Sequence, residues 1–260
     1  LIDSFGSYLT KIDKRVAVLA IDPSSKKGKG SILGDKTRMD RLSIDSNAFI
    51  RPSPSLGSLG GVAKTTRESI ILCEAAGFDV IIVETVGVGQ SEIAVHSIVD
   101  FFLLIMIAGA GDELQGIKRG IMEMADAIAI NKADGDNITK AQAARSEFAH
   151  ALHLFPPSES GWIPKVETCS SLNDTGIDSI WKIIDEYHLH TVSKGYFEYN
   201  REQQSIFWMY DTILENLKSS FFNQSKIKAV LPEYEKKIKD KLISSYTAAV
   251  ELLEIFKNRA

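Results

Sequence analysis

Short, almost wholly apolar runs recur along the first two thirds of the chain. They are rich in Val, Ile or Phe and do not alternate with polar residues, which is typical of parallel strands covered on both faces. The runs are Val16–Ile21, Val80–Val83, Phe101–Ile107 and Ala127–Ile130, with a weaker fifth at Ile163–Thr168. Helical patterns separate them at Gly61–Ala76, Glu113–Ala125, Ile138–Leu152 and Ile177–Tyr187. This alternation predicts an α/β fold with a doubly wound, mostly parallel sheet.

Polar and glycine-rich segments follow the first four runs. They are Asp22–Ser25, Glu84–Gln90, Gly109–Glu113 and Asn131–Asp134. In a doubly wound sheet, ligands bind where strands end and helices begin. We therefore expect these segments to converge on one edge of one sheet and to form a binding site there.

The pattern changes after about Lys194. Glu198–Leu217, Ile227–Leu242 and Tyr246–Phe256 have helical patterns with charged faces, and no strand pattern lies between them. We predict an α/β domain over residues 1–194 and a helical C-terminal extension over residues 195–260. The extension has apolar positions that need a covering surface: Ile206, Phe207, Met209, Tyr210, Ile213 and Leu214. A subunit interface and packing against the α/β domain both remain open.

Composition argues against several classes of function. The chain has 260 residues, of which 44% are hydrophobic, so it can bury a sizeable core. A formal net charge of −4 does not indicate binding to nucleic acid or to a membrane surface. Cys73 and Cys169 are isolated and lack metal-ligand spacing. We interpret both as small buried hydrophobes, which suits a reducing cytoplasm.

The segment Asn131–Asp134 reads Asn-Lys-Ala-Asp and follows an apolar strand. It resembles the base-reading NKxD motif of GTPases, whose acid accepts hydrogen bonds from guanine N1–H and the exocyclic amine. Adenine cannot supply both donors, and a buried acceptor left unpaired costs about 1–3 kcal/mol. Asp134 would thus select guanine, while Asn131 would hold the loop and Lys132 would lie along the base. A polar turn at the strand end is the alternative.

Acidic residues suited to magnesium stand near two other strand ends. Glu84 lies three residues before Gly87, and in P-loop proteins an acid at this point holds the ion while the glycine N–H contacts the terminal phosphate. Asp22 or Asp35 could coordinate magnesium or hold the attacking water. The alternatives are a strand-end carboxylate for Glu84, a turn residue for Asp22 and a helix N-cap for Asp35.

A glycine-rich segment at residues 109–116 leads into a helical pattern. Such loops can bind anions, but the neighbouring acids would repel phosphate. We therefore predict a mobile switch or partner-contact loop, and its candidate residues are Gly109, Asp112, Glu113, Gln115 and Lys118. A solvated helix face is the alternative for Lys118.

A second candidate base contact follows the fifth apolar run. Thr168–Ser171 lies where GTPases place a loop that supports the base through backbone contacts, which makes Ser170 and Ser171 candidates. The five histidines of the chain form no metal-binding pattern in sequence.

Longer segments of the chain resemble the MeaB/ArgK family of P-loop GTPases. They are residues 17–25, 30–39, 49–54, 84–92 and 109–118, together with Arg201–Gln204 and Trp208–Met209 in the tail. The resemblance covers nearly the whole chain and implies a P-loop NTPase fold with GTP or GDP and Mg²⁺ as ligands. It also implies that Asp22, Asp35 and Glu84 belong to the magnesium and catalytic region.

The resemblance further implies a biological role. Members of this family act as chaperones of an adenosylcobalamin-dependent mutase, usually methylmalonyl-CoA mutase, which they protect and whose cofactor loading they gate. The loop at Gly109–Lys118 would be the switch that couples the two proteins. Family members are typically homodimers, and the helical tail contributes to the dimer.

One departure from the family pattern concerns the phosphate-binding loop. The family has a Gly-rich loop ending in Gly-Lys-Ser/Thr just before the helix that opens this sequence at Leu1. That loop supplies the backbone cradle, the phosphate lysine and a hydroxyl ligand of magnesium. We therefore expect upstream residues in the parent protein, weak or no nucleotide binding by these 260 residues, and GTP hydrolysis by the complete parent.

Two alternatives to a GTPase switch remain at this stage. A related P-loop ATPase or kinase, formerly linked to lysine, arginine and ornithine transport, is disfavoured because Asp134 does not match the adenine edge. A non-catalytic interaction module is supported only by the absence of the phosphate-binding loop from the sequence.

Overall fold

The computed structural model describes residues 1–22, 39–54, 59–85, 95–109, 119–156 and 158–257. Its strands are β1 (Val16–Asp22), β2 (Ala48–Pro54), β3 (Val80–Thr85), β4 (Leu103–Ile107), β5 (Ala127–Asn131) and β6 (Lys165–Thr168). Its α-helices are α1 (Ile2–Lys11), α2 (Leu59–Ala75), α3 (Arg119–Glu123), α4 (Ile138–Leu152), α5 (Ile177–Ser193), α6 (Tyr196–Asn223), α7 (Ser225–Lys239) and α8 (Ser245–Lys257). Short 3-10 helices cover Leu42–Ile44 and Gly135–Asn137.

The strands form two parallel sheets of three strands each. In the first sheet β1 lies between β2 and β3, and in the second β5 lies between β4 and β6. Both central strands are buried along their described side chains, which is expected when helices cover both faces of a parallel sheet. The predicted α/β fold with parallel strands and a helical C-terminal extension is confirmed.

The expectation of one continuous sheet is wrong for the described residues. β3 and β4 each lie at the end of a sheet, and both line a cavity of about 900 Å³. Paired strands lie only about 4.8 Å apart, so strands that bound a cavity of this size cannot hydrogen-bond to each other across it. The sheet is therefore interrupted between β3 and β4.

A common hydrophobic core joins the two sheets. Helices α1 and α5 contribute to it together with the central strands of both sheets. Its members include Phe5 and Leu9 of α1, Val18 of β1, Ala129 of β5, and Ile177 and Ile180 of α5. A second cluster surrounds Phe148 of α4, which packs with Ile128 and Ile130 of β5. The shared core holds the two sheets in one unit without strand pairing between them.

The chain divides into two compact units, Leu1–Gln204 and Ser205–Ala260. Helix α6 begins in the first unit and ends in the second. In the second unit, α7 packs against α8, and the phenol of Tyr234 donates a hydrogen bond to Glu251 at 2.9 Å. None of the helices in the described ranges is long and apolar enough to cross a membrane. The assignment of residues 1–194 and 195–260 as functional domains stays a prediction.

Several element boundaries differ from the sequence-based expectation. β2 was not predicted, because it contains Arg51 and two prolines instead of an apolar run. It occupies the edge of its sheet, where the missing N–H of proline is tolerated. β4 begins at Leu103 and β6 at Lys165, two residues later than their apolar runs. Of the helix expected at residues 113–125, the described part forms only α3.

Candidate functional site

The end of β5 is fastened to the loop that follows β6. Asn131 is the last residue of β5, and its side chain is buried. Its Oδ1 accepts hydrogen bonds from the backbone N and the Oγ of Ser171, at 3.2 Å and 2.9 Å. The thiol of Cys169 lies 3.6 Å from the same oxygen. Asn131 therefore fixes the position of one strand-end loop relative to the other.

Backbone hydrogen bonds continue this connection beyond the strands. The N–H of Cys169 donates to the carbonyl of Ile130, and the N–H of Ala133 donates to the carbonyl of Cys169, both at 2.9 Å. Lys132, which precedes Ala133, adopts a left-handed backbone with φ of 60°. Its carbonyl accepts a hydrogen bond from the side-chain amide of Asn137. The exposed Lys132 thus stands at a sharp turn between Asn131 and the acid that follows.

Asp134 is held by the neighbouring loop. Its Oδ2 accepts a hydrogen bond from the hydroxyl of Ser170, a fully buried residue. The same hydroxyl oxygen accepts a hydrogen bond from the N–H of Asn173 at 3.2 Å. An ionised carboxylate offers about four acceptor positions, so the hydroxyl of Ser170 orients Asp134 while leaving acceptor capacity for a ligand.

The loop Ser170–Thr175, called here the base loop, is closed on itself. Ser170 and Thr175 exchange backbone hydrogen bonds of 2.9 Å and 3.2 Å. Gly176 follows with φ of 71°, and a Cβ at this position would stand 2.3 Å from the carbonyl oxygen of Thr168. Glycine is therefore required for α5 to begin this close to the end of β6.

The candidate magnesium residues that are described lie on neighbouring strands. Asp22 ends β1, and Glu84 lies near the end of β3. The parallel register pairs Ala20 with Glu84 and Ile21 with Thr85, so Asp22 and Glu84 share the carboxyl edge of the first sheet. Glu84 is half-buried and lines the cavity between β3 and β4.

Other sequence-predicted residues lie outside the described parts of the chain. They are Asp35, Gly87, Asp112, Glu113, Gln115 and Lys118. Gly109 is described; it lies just beyond β4, is exposed and has φ of 79°. Among the described side chains no three His, Cys, Asp or Glu residues are grouped to hold a metal. The side chains of Asp22 and Asp35 are outside that description.

Sequence reasoning missed Arg41, which contacts the base loop. Its guanidinium donates to both carboxylate oxygens of Asp174, at 2.6 Å and 3.1 Å, and from Nε to Asp3 at 2.9 Å. The hydrogen bonds from Arg41 lower the pKa of Asp174. The two carboxylates are 133 and 38 residues away in sequence, so no local pattern could have indicated them.

The chain matches a known protein family over most of its length. Residues 1–226 match the family described as Methylmalonyl Co-A mutase-associated GTPase MeaB. The chain belongs to the MeaB family. The resemblance read from the motifs is thereby confirmed, and so is the assignment to a class of enzymes that hydrolyse GTP.

Individual MeaB-family relatives match nearly all of the chain. A mouse protein named Methylmalonic aciduria type A homolog, mitochondrial, is 46% identical over 99% of this chain and 62% of its own length. GTPase ArgK of Escherichia coli is 44% identical over 99% of this chain and 78% of its own length. The chain thus spans less than two thirds of the mouse relative.

A solved structure agrees with the MeaB-family fold. The crystal structure of a LAO/AO transport system kinase matches with a TM-score of 0.74 and 37% sequence identity. The match covers 99% of this chain and 76% of that chain. The P-loop NTPase type of α/β fold that the family resemblance implies is therefore confirmed.

Proposed function

We propose that this chain is the greater part of a GTP-binding and GTP-hydrolysing switch that takes GTP, GDP and Mg²⁺. The observation that carries the proposal is Asp134, held by the hydroxyl of Ser170 at the end of a buried parallel strand. A carboxylate oriented in this way can accept from two neighbouring N–H groups of one base edge. Guanine presents such a pair, and adenine does not.

Each residue of the base site has a distinct task in this proposal. Asp134 accepts from guanine N1–H and the exocyclic amine, and Lys132 lies along the base. Asn131 keeps the loop after β5 joined to the base loop through Ser171. Ser170 and Ser171 support the base through backbone contacts. Because these groups already bond one another, little reorganisation is needed when the ligand binds.

The phosphate side is proposed at the carboxyl edge of the first sheet. Asp22, Asp35 and Glu84 would hold Mg²⁺ directly or through water, and the backbone N–H of Gly87 would contact the terminal phosphate. Magnesium would neutralise charge that develops on the phosphate oxygens during hydrolysis. Asp22 and Glu84 lie on the neighbouring strands β1 and β3, which supports their acting together.

We propose that the phosphate-binding loop is supplied by sequence outside these 260 residues, because the chain spans 62% of the length of the mouse relative and 78% of that of GTPase ArgK. We expect the 260-residue chain to bind GDP much more weakly than the same chain extended upstream to its start codon. Equal affinity of the two proteins for GDP would contradict this expectation.

The test of the base site is a titration of the extended chain with fluorescent GDP and ADP in magnesium. We expect a clear preference for GDP, and the Asp134→Asn variant should shift that preference towards XDP. Xanthine carries a carbonyl where guanine has its amine, so an amide can replace the carboxylate. Equal binding of GDP and ADP would favour the ATPase or kinase alternative, and no binding would favour an interaction module.

We further propose that the partner is an adenosylcobalamin-dependent mutase of the methylmalonyl-CoA mutase type, which this protein protects and whose cofactor loading it gates. The name of the MeaB family supports this proposal. The loop from Gly109 to Lys118 is the proposed contact. Co-elution with the mutase should depend on the bound nucleotide and weaken in Gln115→Ala and Lys118→Ala. Co-elution unaffected by nucleotide and by both substitutions would contradict the proposal.

We propose a homodimer formed through the helical unit. Phe207, Tyr210 and Leu214 of α6 are 53%, 60% and 64% exposed and recur at helical spacing. Such an exposed apolar stripe is typical of an interaction surface. Sedimentation of Phe207→Glu/Leu214→Glu should show a monomer, whereas Ser219→Glu, on the opposite side of α6, should leave the dimer intact. A monomeric parent would refute this arrangement.

We propose a cytoplasmic location, with no membrane or nucleic-acid partner. Cys73 and Cys169 are both free and buried, which fits a reducing compartment. Cell fractionation with a C-terminal tag tests the location, and recovery in a membrane or secreted fraction would contradict it.

A further inference from the structure

We propose that Arg41 is a positioning residue for guanine recognition, because it fastens the base loop to helix α1. The proposal rests on the proposed nucleotide function and adds a residue that no sequence motif indicates. Arg41 itself has no contact with the nucleotide in this proposal. It acts through Asp174 on the loop that carries Ser170 and Ser171.

Arg41 contacts the base loop and α1 at the same time. Its two terminal nitrogens bond the two carboxylate oxygens of Asp174, which is the forked pairing that fixes both distance and orientation. Its Nε bonds Asp3, and one terminal nitrogen also bonds the hydroxyl of Ser4 at 2.9 Å. One planar group thus sets the separation between the first turn of α1 and the base loop.

Two further contacts strengthen this connection. The hydroxyl of Ser4 donates to the carbonyl of Ser171 at 2.8 Å, so α1 reaches the base loop directly as well. The second oxygen of Asp3 accepts the backbone N–H of Leu42 at 2.9 Å, which holds the chain beside Arg41. The cluster therefore ties three segments that are distant in sequence.

The fork from Arg41 acts at an unusual backbone position of the base loop. Asp174 adopts a left-handed backbone with φ of 53°, which is uncommon for residues other than glycine, although Asp adopts it more often than most. Neighbouring contacts help to hold a residue in this conformation. The fork from Arg41 supplies such a hold, and it does so in the same loop whose Ser170 orients Asp134.

The contacts are suited to positioning more than to overall stability. The side chains of Arg41 and Asp174 are 45% and 44% exposed, so water screens their attraction. A loss of Arg41 should therefore leave the fold largely intact. What it removes is the fixed geometry of the base loop, and with it the alignment of Asp134 to guanine.

The first experiment compares GDP with IDP in the extended chain carrying Arg41→Lys. Lysine keeps the charge but cannot form the fork. IDP lacks the exocyclic amine, so the ratio of GDP to IDP affinity reports how well Asp134 is aligned. We expect that ratio to fall about tenfold, which corresponds to roughly 1.4 kcal/mol. A fall in both affinities with an unchanged ratio would mean a merely structural role.

A matched control is available in the same unit. Arg201 makes a similar fork to Asp100, at 2.8 Å and 2.5 Å, and its side chain is 41% exposed. Arg201→Lys removes a comparable contact away from the base loop, so the ratio should stay at the parental value. An equal fall of the ratio in both variants would overturn the specific role of Arg41.

The second experiment uses hydrogen exchange on the 260-residue chain without nucleotide. The amides of Ser170 and Thr175 close the base loop, and we expect both to exchange faster in Arg41→Lys and in Asp174→Asn. The double variant should exchange no faster than either single variant, because all three lose the same contact. Unchanged exchange would overturn the proposal.

The two experiments separate failure of this proposal from failure of the proposed function. A parent protein that shows no preference for guanine refutes the function, and the exchange rates still decide whether Arg41 anchors the loop. A parent that prefers GDP while Arg41→Lys leaves both the ratio and the exchange unchanged refutes the role of Arg41 alone.

Discussion

The base site and the helical unit differ in whether their surface groups already have partners. Around Asn131 and Asp134, polar groups of two neighbouring segments hydrogen-bond to one another. In the helical unit, large apolar side chains such as Phe207 and Leu214 are more than half exposed. The first region is organised by its own hydrogen bonds. The second presents an apolar surface that leaves water only when another surface covers it.

This difference has an energetic meaning. A loop whose donors and acceptors are already paired loses little conformational freedom on binding. An exposed apolar stripe gains free energy in proportion to the area that a partner covers, at about 25 cal/mol per Å². Substitutions in the two regions should therefore be measured differently: by stability and ligand discrimination in the first, and by association in the second.

The largest expected effect comes from matched phenylalanine truncations. Phe148 of α4 is 1% exposed beneath the second sheet, and Phe207 of α6 is 53% exposed. Phe148→Ala should lower the free energy of unfolding by about 3–5 kcal/mol because it leaves a cavity. Phe207→Ala should change that of the monomer by less than about 0.5 kcal/mol. Denaturant titration checks both, and similar losses would break the comparison.

The next largest effect is expected from substituting two glycines, one beside the base loop and one between α5 and α6. Gly176 and Gly195 have φ of 71° and 70°, and only a Cβ at Gly176 meets backbone, 2.3 Å from the Thr168 oxygen. Gly195→Ala should cost about 1–2 kcal/mol from the left-handed conformation alone. Gly176→Ala should cost more and should also weaken GDP binding. Thermal unfolding, with GDP titration of the chain extended upstream, checks this, and equal costs would show that β6 shifts freely.

A smaller effect concerns pH and the partly buried Asp126, which precedes β5. Burial raises the pKa of its carboxyl to about 7, although Asp126 accepts a hydrogen bond from the N–H of Phe102. The folded state therefore favours the protonated acid, and stability from this group is lost as pH rises from about 4 to about 7. Tyr187 also forms a side-chain hydrogen bond with Asp126, which lowers the pKa of that carboxyl. The charge of Asp100 in turn raises the pKa of Tyr187.

The test is stability against pH for Asp126→Asn. The free energy of unfolding of this variant should not decline with pH. The difference in unfolding free energy between the variant and the parent should therefore change by about 1–3 kcal/mol in favour of the variant between pH 4 and pH 8. Glu147→Gln, an exposed substitution on α4, serves as the control and should follow the parent. A parent whose stability rises across this range would contradict the assignment to Asp126.

The smallest effect lies inside the helical unit. Ile227 of α7 is fully buried, so Ile227→Val should cost about 0.5–1.5 kcal/mol. Hydrogen exchange should become faster at amides of α7 and α8, and it should stay unchanged at amides of β1 and β5. Loss spread over both units would mean that they unfold together.

How far the sequence predicts this molecule depends on the range of the contacts involved. Apolar runs located β1 and β5, because burial on both faces demands residues such as Val16 and Ile130, and they located the half-buried β3 as well. They did not locate β2, whose edge position accepts Arg51. Period and composition report continuous apolar runs, and β2 has only three apolar residues before Arg51.

The candidate site divides in the same way. Asn131 and Asp134 could be found because their spacing along one loop is itself the motif. Arg41 and Asp174 could not, because a long-range ion pair leaves no pattern around either residue. The interruption between β3 and β4 also depends on tertiary structure, since both strands read as ordinary buried runs.

That interruption bears on how the protein behaves at high concentration. In the part of the chain that the structure describes, no neighbouring strand pairs with the edge of β3 or of β4 that faces the cavity between them. The edge of an apolar strand that has no neighbouring strand can serve as a template for strands of other molecules. Preparations of these 260 residues should accordingly form intermolecular β-structure on concentration or storage, and a segment that occupies the gap should suppress it.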